Sequence, residues 1–200
     1  MTSRESPTGL MTSLLLCSTC LISGQLLSTS NKRQRGFKRV QLWPLGELYF
    51  GILEKSKVLG FPAGVCTTVG ASGHISGGGY CNMMRKYGLS SDHMIDAQIV
   101  DANGSVLDRK SMGEDLFWAV RGGEGASFGV ILSYTLKLVP VPETVTVFRM
   151  EKTLEQNGTD IVYRWQNVAD KIDNDLFMRM HLNPVKSTIT ASFESLFLGN

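Results

Sequence analysis

Apolar positions change character near residue 45. Before it, serine, threonine and basic residues interrupt short apolar runs and no period holds. After it the pattern is strong. Leu48, Tyr49, Ile52 and Leu53, then Val58 and Leu59, fit an amphipathic helix over Gly46–Leu59 closed by Gly60. A glycine-rich loop is predicted from Gly60 to Gly79, then a short helix over Tyr80–Tyr87 stopped by Gly88. Met94–Asp101 alternates like a strand, Asn103-Gly104 signals a two-residue hairpin, and Ser105–Arg109 would return. Ser111 with Glu114 three residues on reads as a capping box opening a helix over Asp115–Val120. Phe128–Val139 is a long β-type run, and Pro140 and Pro142 mark a boundary. Beyond it the pattern predicts a strand at Thr144–Met150, a helix at Leu154–Ile172, and strands at Phe177–Leu182 and Thr188–Phe197. The class is mixed α+β.

Composition changes this picture in one respect. Hydrophobic content of 42% and charged content of 19% suffice for a packed core. A net charge of +2 points to no nucleic-acid partner. The basic run Lys32, Arg33, Arg35, Lys38, Arg39 is local and reads as a solvated segment. No stretch reaches the length of a transmembrane helix, and no clean signal peptide is visible. Glycine is the excess, with 21 residues, and the runs Gly77–Gly79 and Gly122-Gly123 mark tight turns or backbone that meets a ligand. Among four cysteines, Cys17 and Cys20 form a lone C-x-x-C, too little for a metal site. Asn103-Gly104-Ser105 and Asn157-Gly158-Thr159 have the sequence of glycosylation acceptors, which matters only in the secretory pathway.

The segment Gly64–Tyr80 holds the candidate chemistry. Few side chains obstruct its backbone, so N–H groups can approach a phosphate or a polar heterocycle. It lacks the G-x-G-x-x-G spacing of a dinucleotide fingerprint. Cys66 is a candidate nucleophile or attachment point, or else a buried inert thiol. His74 is a candidate donor to an anionic ligand, or a loop cap.

Four stretches resemble one family. F-P-A-G-V-C-T-T-V-G-A-S-G-H-I-S-G-G-G-Y (Phe61–Tyr80), R-K-Y-G-L-S-S-D (Arg85–Asp92), D-A-N-G-S-V-L-D-R (Asp101–Arg109) and M-G-E-D-L-F-W-A-V-R-G-G (Met112–Gly123) occur in order. Together they resemble the berberine bridge enzyme-like FAD-linked oxidases of plants, from about Leu45 onward. The resemblance implies a partial vanillyl-alcohol-oxidase/PCMH-type FAD-binding domain over 45–142. The start of a substrate domain follows over 143–200. It implies FAD as cofactor, oxidation of a small-molecule alcohol, sugar or alkaloid, and O2 as acceptor. It also implies a secreted, cell-wall or vacuolar location. Cys66 matches a cysteine that bonds the flavin ring, a single covalent link here because the family's R-x-G-G-H attachment motif is not found. His74 matches the histidine that stabilises reduced flavin, the one catalytic assignment. Val69 matches a position that gates oxygen. Gly70, Gly73, Gly77, Gly78 and Asn82 are expected to supply further cofactor contacts, and no metal is expected. Ser72, Cys81 and Glu124 stand where the family has glycine or a small residue.

Residues 1–44 do not share the resemblance. Family members commonly read E-T-A-W-V-Q-A-G-A-T-L just before G-E-L-Y. One codon choice for that peptide, read one base later, gives R-Q-R-G-F-K-R-V-Q-L-W, which is Arg33 to Trp43. The hypothesis is that Met1–Pro44 is an out-of-frame or disordered segment. It predicts a family-like alternative frame upstream in the genomic DNA, and a genomic read without one sinks it.

Overall fold

The computed structural model describes residues 27–28, 36–38, 44–185 and 187–199. Cys17, Cys20 and all of the basic run except Lys38 lie outside the described residues. The first layer is a five-stranded sheet in the order β1-β2-β6-β4-β5. Its strands are β1 (Leu27–Ser28), β2 (Gly36–Lys38), β4 (Met94–Val100), β5 (Val106–Leu107) and β6 (Val130–Lys137). Every neighbouring pair is antiparallel. Helix α1 (Leu45–Leu53) buries Leu45, Leu48 and Ile52 in one core with Phe61, Ile75, Ile99, Phe117, Tyr134 and Leu136. Burying each such side chain contributes about 1.5–3 kcal/mol.

The structure redraws several predicted elements. Helix α1 ends at Leu53, and Leu59–Gly60 is instead a strand, β3, paired with β7 (Val139–Pro140). Pro140 therefore closes a ladder, with Val141 N donating to the Val58 carbonyl beyond it. The glycine loop contains a helix, α2 (Ala71–Ser76). The helix expected at Tyr80–Tyr87 is only α3 (Met84–Tyr87). The hairpin is wider than two residues because Val100 pairs with Val106. Asp101 fills that turn, its Oδ1 accepting from the N–H groups of Asn103 and Ser105. Ser111 is the partner of the cap rather than the cap. Asp108 caps α4 (Arg109–Ala119), accepting from Ser111 N at 2.9 Å while Ser111 Oγ accepts from Asp108 N. The Ser111 hydroxyl also donates to Asp108 Oδ1 at 2.6 Å, and this bond, with the one from Ser111 N, lowers the Asp108 pKa. Gly113, at φ +77°, kinks α4 just before the segment expected to be the whole helix.

The second layer is a three-stranded antiparallel sheet, β8-β10-β9, built from Thr146–Thr153, Thr188–Phe197 and Leu176–Val185. The helix expected at Leu154–Ile172 is split: a 3-10 turn at Leu154–Gln156, then α5 (Gly158–Val168). Asn157 separates them at φ +64°, a left-handed conformation that asparagine tolerates better than most residues.

Residues 80–87 tie the two layers together. Arg85 donates to the carbonyls of Ala169 and Ile172, just past the end of α5. Lys86 pairs with Asp175, Tyr87 Oη donates to the Pro140 carbonyl, and the Tyr80 ring meets Phe177 edge-on. A guanidinium hydrogen-bonded to two backbone carbonyls is worth about 1.5–3 kcal/mol when partly buried.

Glu124 occupies a costly backbone conformation. It sits at φ +60°, held there because its N–H and that of Gly122 both donate to the Ser76 carbonyl. A left-handed L-residue costs about 1–2 kcal/mol. Glu124→Gly is expected to stabilise the chain by roughly 1 kcal/mol after glycine's own entropy is subtracted, read from urea denaturation midpoints.

Candidate functional site

The segment 61–79 is closed on itself before any ligand is considered. Ser90 Oγ lies 2.6 Å from the Pro62 carbonyl, and its N–H donates to the Gly79 carbonyl at 3.0 Å. The two ends of the segment thus meet at one buried serine. Gly79 permits this: at φ +78°, an added Cβ would sit 2.3 Å from Ser90 Cβ. Tyr49 Oη donates to the Gly64 carbonyl at 2.6 Å. Burial raises the Tyr49 pKa, with nearby Cys81 adding to the effect, so the phenol stays a donor. Tyr134 Oη donates to the Ser72 carbonyl. Leu45 N and Gly46 N donate to the carbonyls of Val69 and Thr67, which anchors the turn to the start of α1.

On this frame the segment presents its expected site residues unevenly. Cys66 is exposed at the start of the turn closed by Val69 N donating to the Cys66 carbonyl. Val69 is also exposed. Gly70 precedes α2, and Gly73 lies within it. A Cβ at either would meet nothing within 4 Å, so backbone faces open space there. Gly77 caps α2, and Gly78 follows at φ +102°. This open face beside a free thiol is what a flat heterocycle needs. Cys81 does not intrude on it, because its thiol is buried and directed to the Gly88 carbonyl at 3.7 Å. Burial raises that thiol's pKa.

His74 is half-buried in α2, and its Nε2 accepts from Gly64 N at 2.9 Å. The proton of the neutral ring therefore sits on Nδ1, which has no partner among the described residues. The segment two residues before Cys66 thereby fixes the tautomer that leaves a free donor. His93, directly before β4, is buried. Its Nε2 meets the Tyr87 carbonyl at 2.7 Å and its ring abuts Phe61, so it belongs to the scaffold. His181 is an exposed residue of β9.

Asn82 faces a different feature. With Gly64 and Val65 it lines a cavity of about 440 Å³ between α1, residues 141–145 and the end of β10. Leu53, Met83, Val145 and Leu196 contribute to its largely apolar wall. Asn82 Oδ1 is buried without a hydrogen-bond partner among the described residues. Sequence reading missed this cavity, since its walls come from four separated stretches of the chain. Among the described residues no cluster of three metal-ligating side chains occurs. No described helix is long and apolar enough to cross a membrane.

A family model described as an FAD binding domain matches residues 44–109. Berberine bridge enzyme-like 21 of Arabidopsis thaliana is 64% identical over 159 residues, which cover 78% of this chain and 30% of that protein. Monolignol oxidoreductase AtBBE-like 13, from the same plant, is 56% identical over 163 residues, again 78% of this chain and 30% of the relative. Among solved structures, wild-type Phl p 4.0202, a glucose dehydrogenase, superposes with a TM-score of 0.80 at 43% identity. The match covers 88% of this chain and 35% of that one. An isoleucine-to-valine variant of Phl p 4, a glucose oxidase, matches equally well. The chain thus spans about 30% of the length of the relatives it matches.

Burial lowers the His74 pKa below the ordinary imidazole value. Between the folded and unfolded values the unfolded chain binds more protons, so stability falls with acidification. Stability is expected to hold above about pH 6.5 and to decline below it. Urea midpoints from pH 7.5 to 5.5 check this, and His74→Gln should flatten the slope.

Proposed function

The chain belongs to the berberine bridge enzyme-like family of FAD-linked oxidases, and we propose that residues 61–82 hold the flavin of a small-molecule oxidase. Bound FAD supplies the two-electron acceptor for substrate oxidation. The observation that carries the reading is the juxtaposition on one segment of the exposed Cys66 thiol, open backbone at Gly70 and Gly73, and an imidazole whose tautomer Gly64 has fixed. In this reading Cys66 is the covalent tether and His74 holds a proton on Nδ1 for the negative charge of the reduced cofactor. Gly77 and Gly78 allow close approach, and Asn82 offers a polar contact beside Gly64. We take residues 45–142 as part of the FAD-binding domain and 143–200 as the start of the substrate domain.

By the resemblance that likens Val69 to an oxygen-gating position, we take O2 as the acceptor. In the similar grass-pollen protein, an isoleucine-to-valine variant is a glucose oxidase where the wild type is a glucose dehydrogenase. Val69 is a valine exposed on the turn that starts at Cys66. The apolar cavity beside Gly64 and Val65 favours a substrate with an apolar body, as in the similar monolignol oxidoreductase, over a sugar. Each sugar hydroxyl buried there without a partner would cost about 1–3 kcal/mol. Secretion to the cell wall or vacuole goes with this reading.

A second reading is favoured by one observation. No carboxylate or imidazole lines the cavity, and the Tyr49 hydroxyl is held protonated by burial. Nothing among the described lining residues can act as a general base at neutral pH by ordinary carboxylate or histidine chemistry. The chain alone would then bind flavin without turnover.

Intact mass and in-gel flavin fluorescence of the purified chain, beside Cys66→Ala, test the tether. The expected result is a flavin-mass adduct in the parent chain that is lost in the variant. Folded protein with no adduct would refute the attachment.

A further inference from the structure

We propose that Tyr49 is a positioning residue of the site, acting through Gly64 to keep the His74 ring in one tautomer. Its part in the reaction rests on the reading of His74 above as the proton holder beside reduced flavin. Its effect on the ring does not. Tyr49 Oη donates to the Gly64 carbonyl at 2.6 Å, and Gly64 N donates to His74 Nε2 at 2.9 Å. Tyr49 belongs to α1 and His74 to α2, with Gly64 in the stretch between them. One residue thus carries both bonds, and one helix reaches the imidazole of the other through it.

The need for such a link follows from glycine. Residue 64 has no side chain to restrict its backbone, and glycine loses more entropy on ordering than any other residue. Its N–H and its carbonyl lie on either side of its two rotatable bonds. Holding the carbonyl therefore limits where the N–H can point. A stiffer residue could not take its place, because an added Cβ would sit 3.0 Å from His74 Cε1. Gly79 approaches the same ring, and its added Cβ would lie 3.2 Å from Nε2. The imidazole thus occupies room that two absent side chains leave, and a group outside the segment must supply the restraint.

Helix α1 is a firm base for that group. Leu45, Leu48 and Ile52 are buried in the core, and Leu45 N and Gly46 N hold the carbonyls of Val69 and Thr67. Burial raises the Tyr49 pKa, so the hydroxyl donates at neutral pH. Without that bond, Gly64 N can swing away from the ring and leave Nε2 free to take a proton. Nε2 then gains a proton from water while Nδ1 returns one, with no net change in charge. The donor that His74 offers from Nδ1 is lost.

Long-range proton–nitrogen NMR of the ¹⁵N-labelled chain, in the Cys66→Ala background so that no adduct forms, reads the tautomer. At about pH 7.5 histidine is neutral, and its protonated and bare nitrogens resonate far apart. His74→Gln identifies the signal among the three histidines. His93 is the reference for the opposite tautomer, because its Nε2 donates to the Tyr87 carbonyl. The expected result is a His74 ring protonated on Nδ1. In Tyr49→Phe the Nε2–H form should rise roughly two- to twelvefold relative to the Nδ1–H form, the population equivalent of one neutral hydrogen bond. Tyr134→Phe removes a comparable bond, to the Ser72 carbonyl of the same segment. It should lower stability and leave the ratio unchanged.

A folded Tyr49→Phe chain with the parent ratio overturns the proposal. So does a Tyr134→Phe chain whose ratio moves as far, since general loosening would then suffice. If Tyr49→Phe does not fold, para-aminophenylalanine at position 49, a weaker donor, takes its place. It should give a ratio displaced in the same direction, and the parent ratio there overturns the proposal. In chain that bears the Cys66 adduct, Tyr49→Phe should lower the flavin midpoint potential, and an unmoved potential overturns the part in the reaction. A missing adduct refutes the attachment and leaves the ratio standing, so the two readings fail separately.

Discussion

The meeting of Ser90 with Pro62 and Gly79 is the contact on which the site depends. A glycine-rich backbone loses more entropy on ordering than any other, so nothing intrinsic would hold residues 61–79 in one shape. Closing both ends onto one buried serine supplies the constraint, and the absence of a Cβ at Gly79 permits it. Tyr49, Tyr134 and the first N–H groups of α1 then hold the interior of the segment at Gly64, Ser72, Thr67 and Val69. The open glycine face and the fixed His74 tautomer follow from that frame.

The frame is tied outward in two directions. The second glycine run docks on the first, with Gly122 and Glu124 donating to the carbonyl of Ser76 at the end of α2. In the other direction, Arg85 and Lys86 join this region to the chain that follows α5, and Tyr87 Oη ties it to the Pro140 carbonyl of β7. Asn82 and Met83, next to this tie, line the apolar cavity together with the end of β10. The cavity is therefore a product of how the two sheets are joined.

Ser72, Cys81 and Glu124, where the sequence resemblance leads one to expect glycine or a small residue, behave differently from one another. Cys81 is accommodated inward, its thiol buried against Gly88 and clear of the glycine face. Ser72 contributes its carbonyl, a group any residue has, to Tyr134. Glu124 alone sits in a conformation its side chain disfavours. A departure matters where the backbone demands glycine, and the sequence does not say where that is.

Local patterns determined much of this protein. The α+β class, the amphipathic face of α1, the strands β4, β6 and β10, and the candidates Cys66 and His74 were legible because they rest on period, turn chemistry and long motifs of residue types. Tertiary structure decided what depends on distant partners. Residues 59–60 become a strand because residues 139–140 lie beside them, and α2 forms inside a run whose glycines argue against helix. Asp108 displaces Ser111 as the cap because an extended residue before the helix can reach back to its first turn. Nor could the sequence show which nitrogen of His74 carries the proton, that His93 is buried, or that four separated stretches line one cavity. Each is set by contacts between residues far apart in the chain, which no local pattern records.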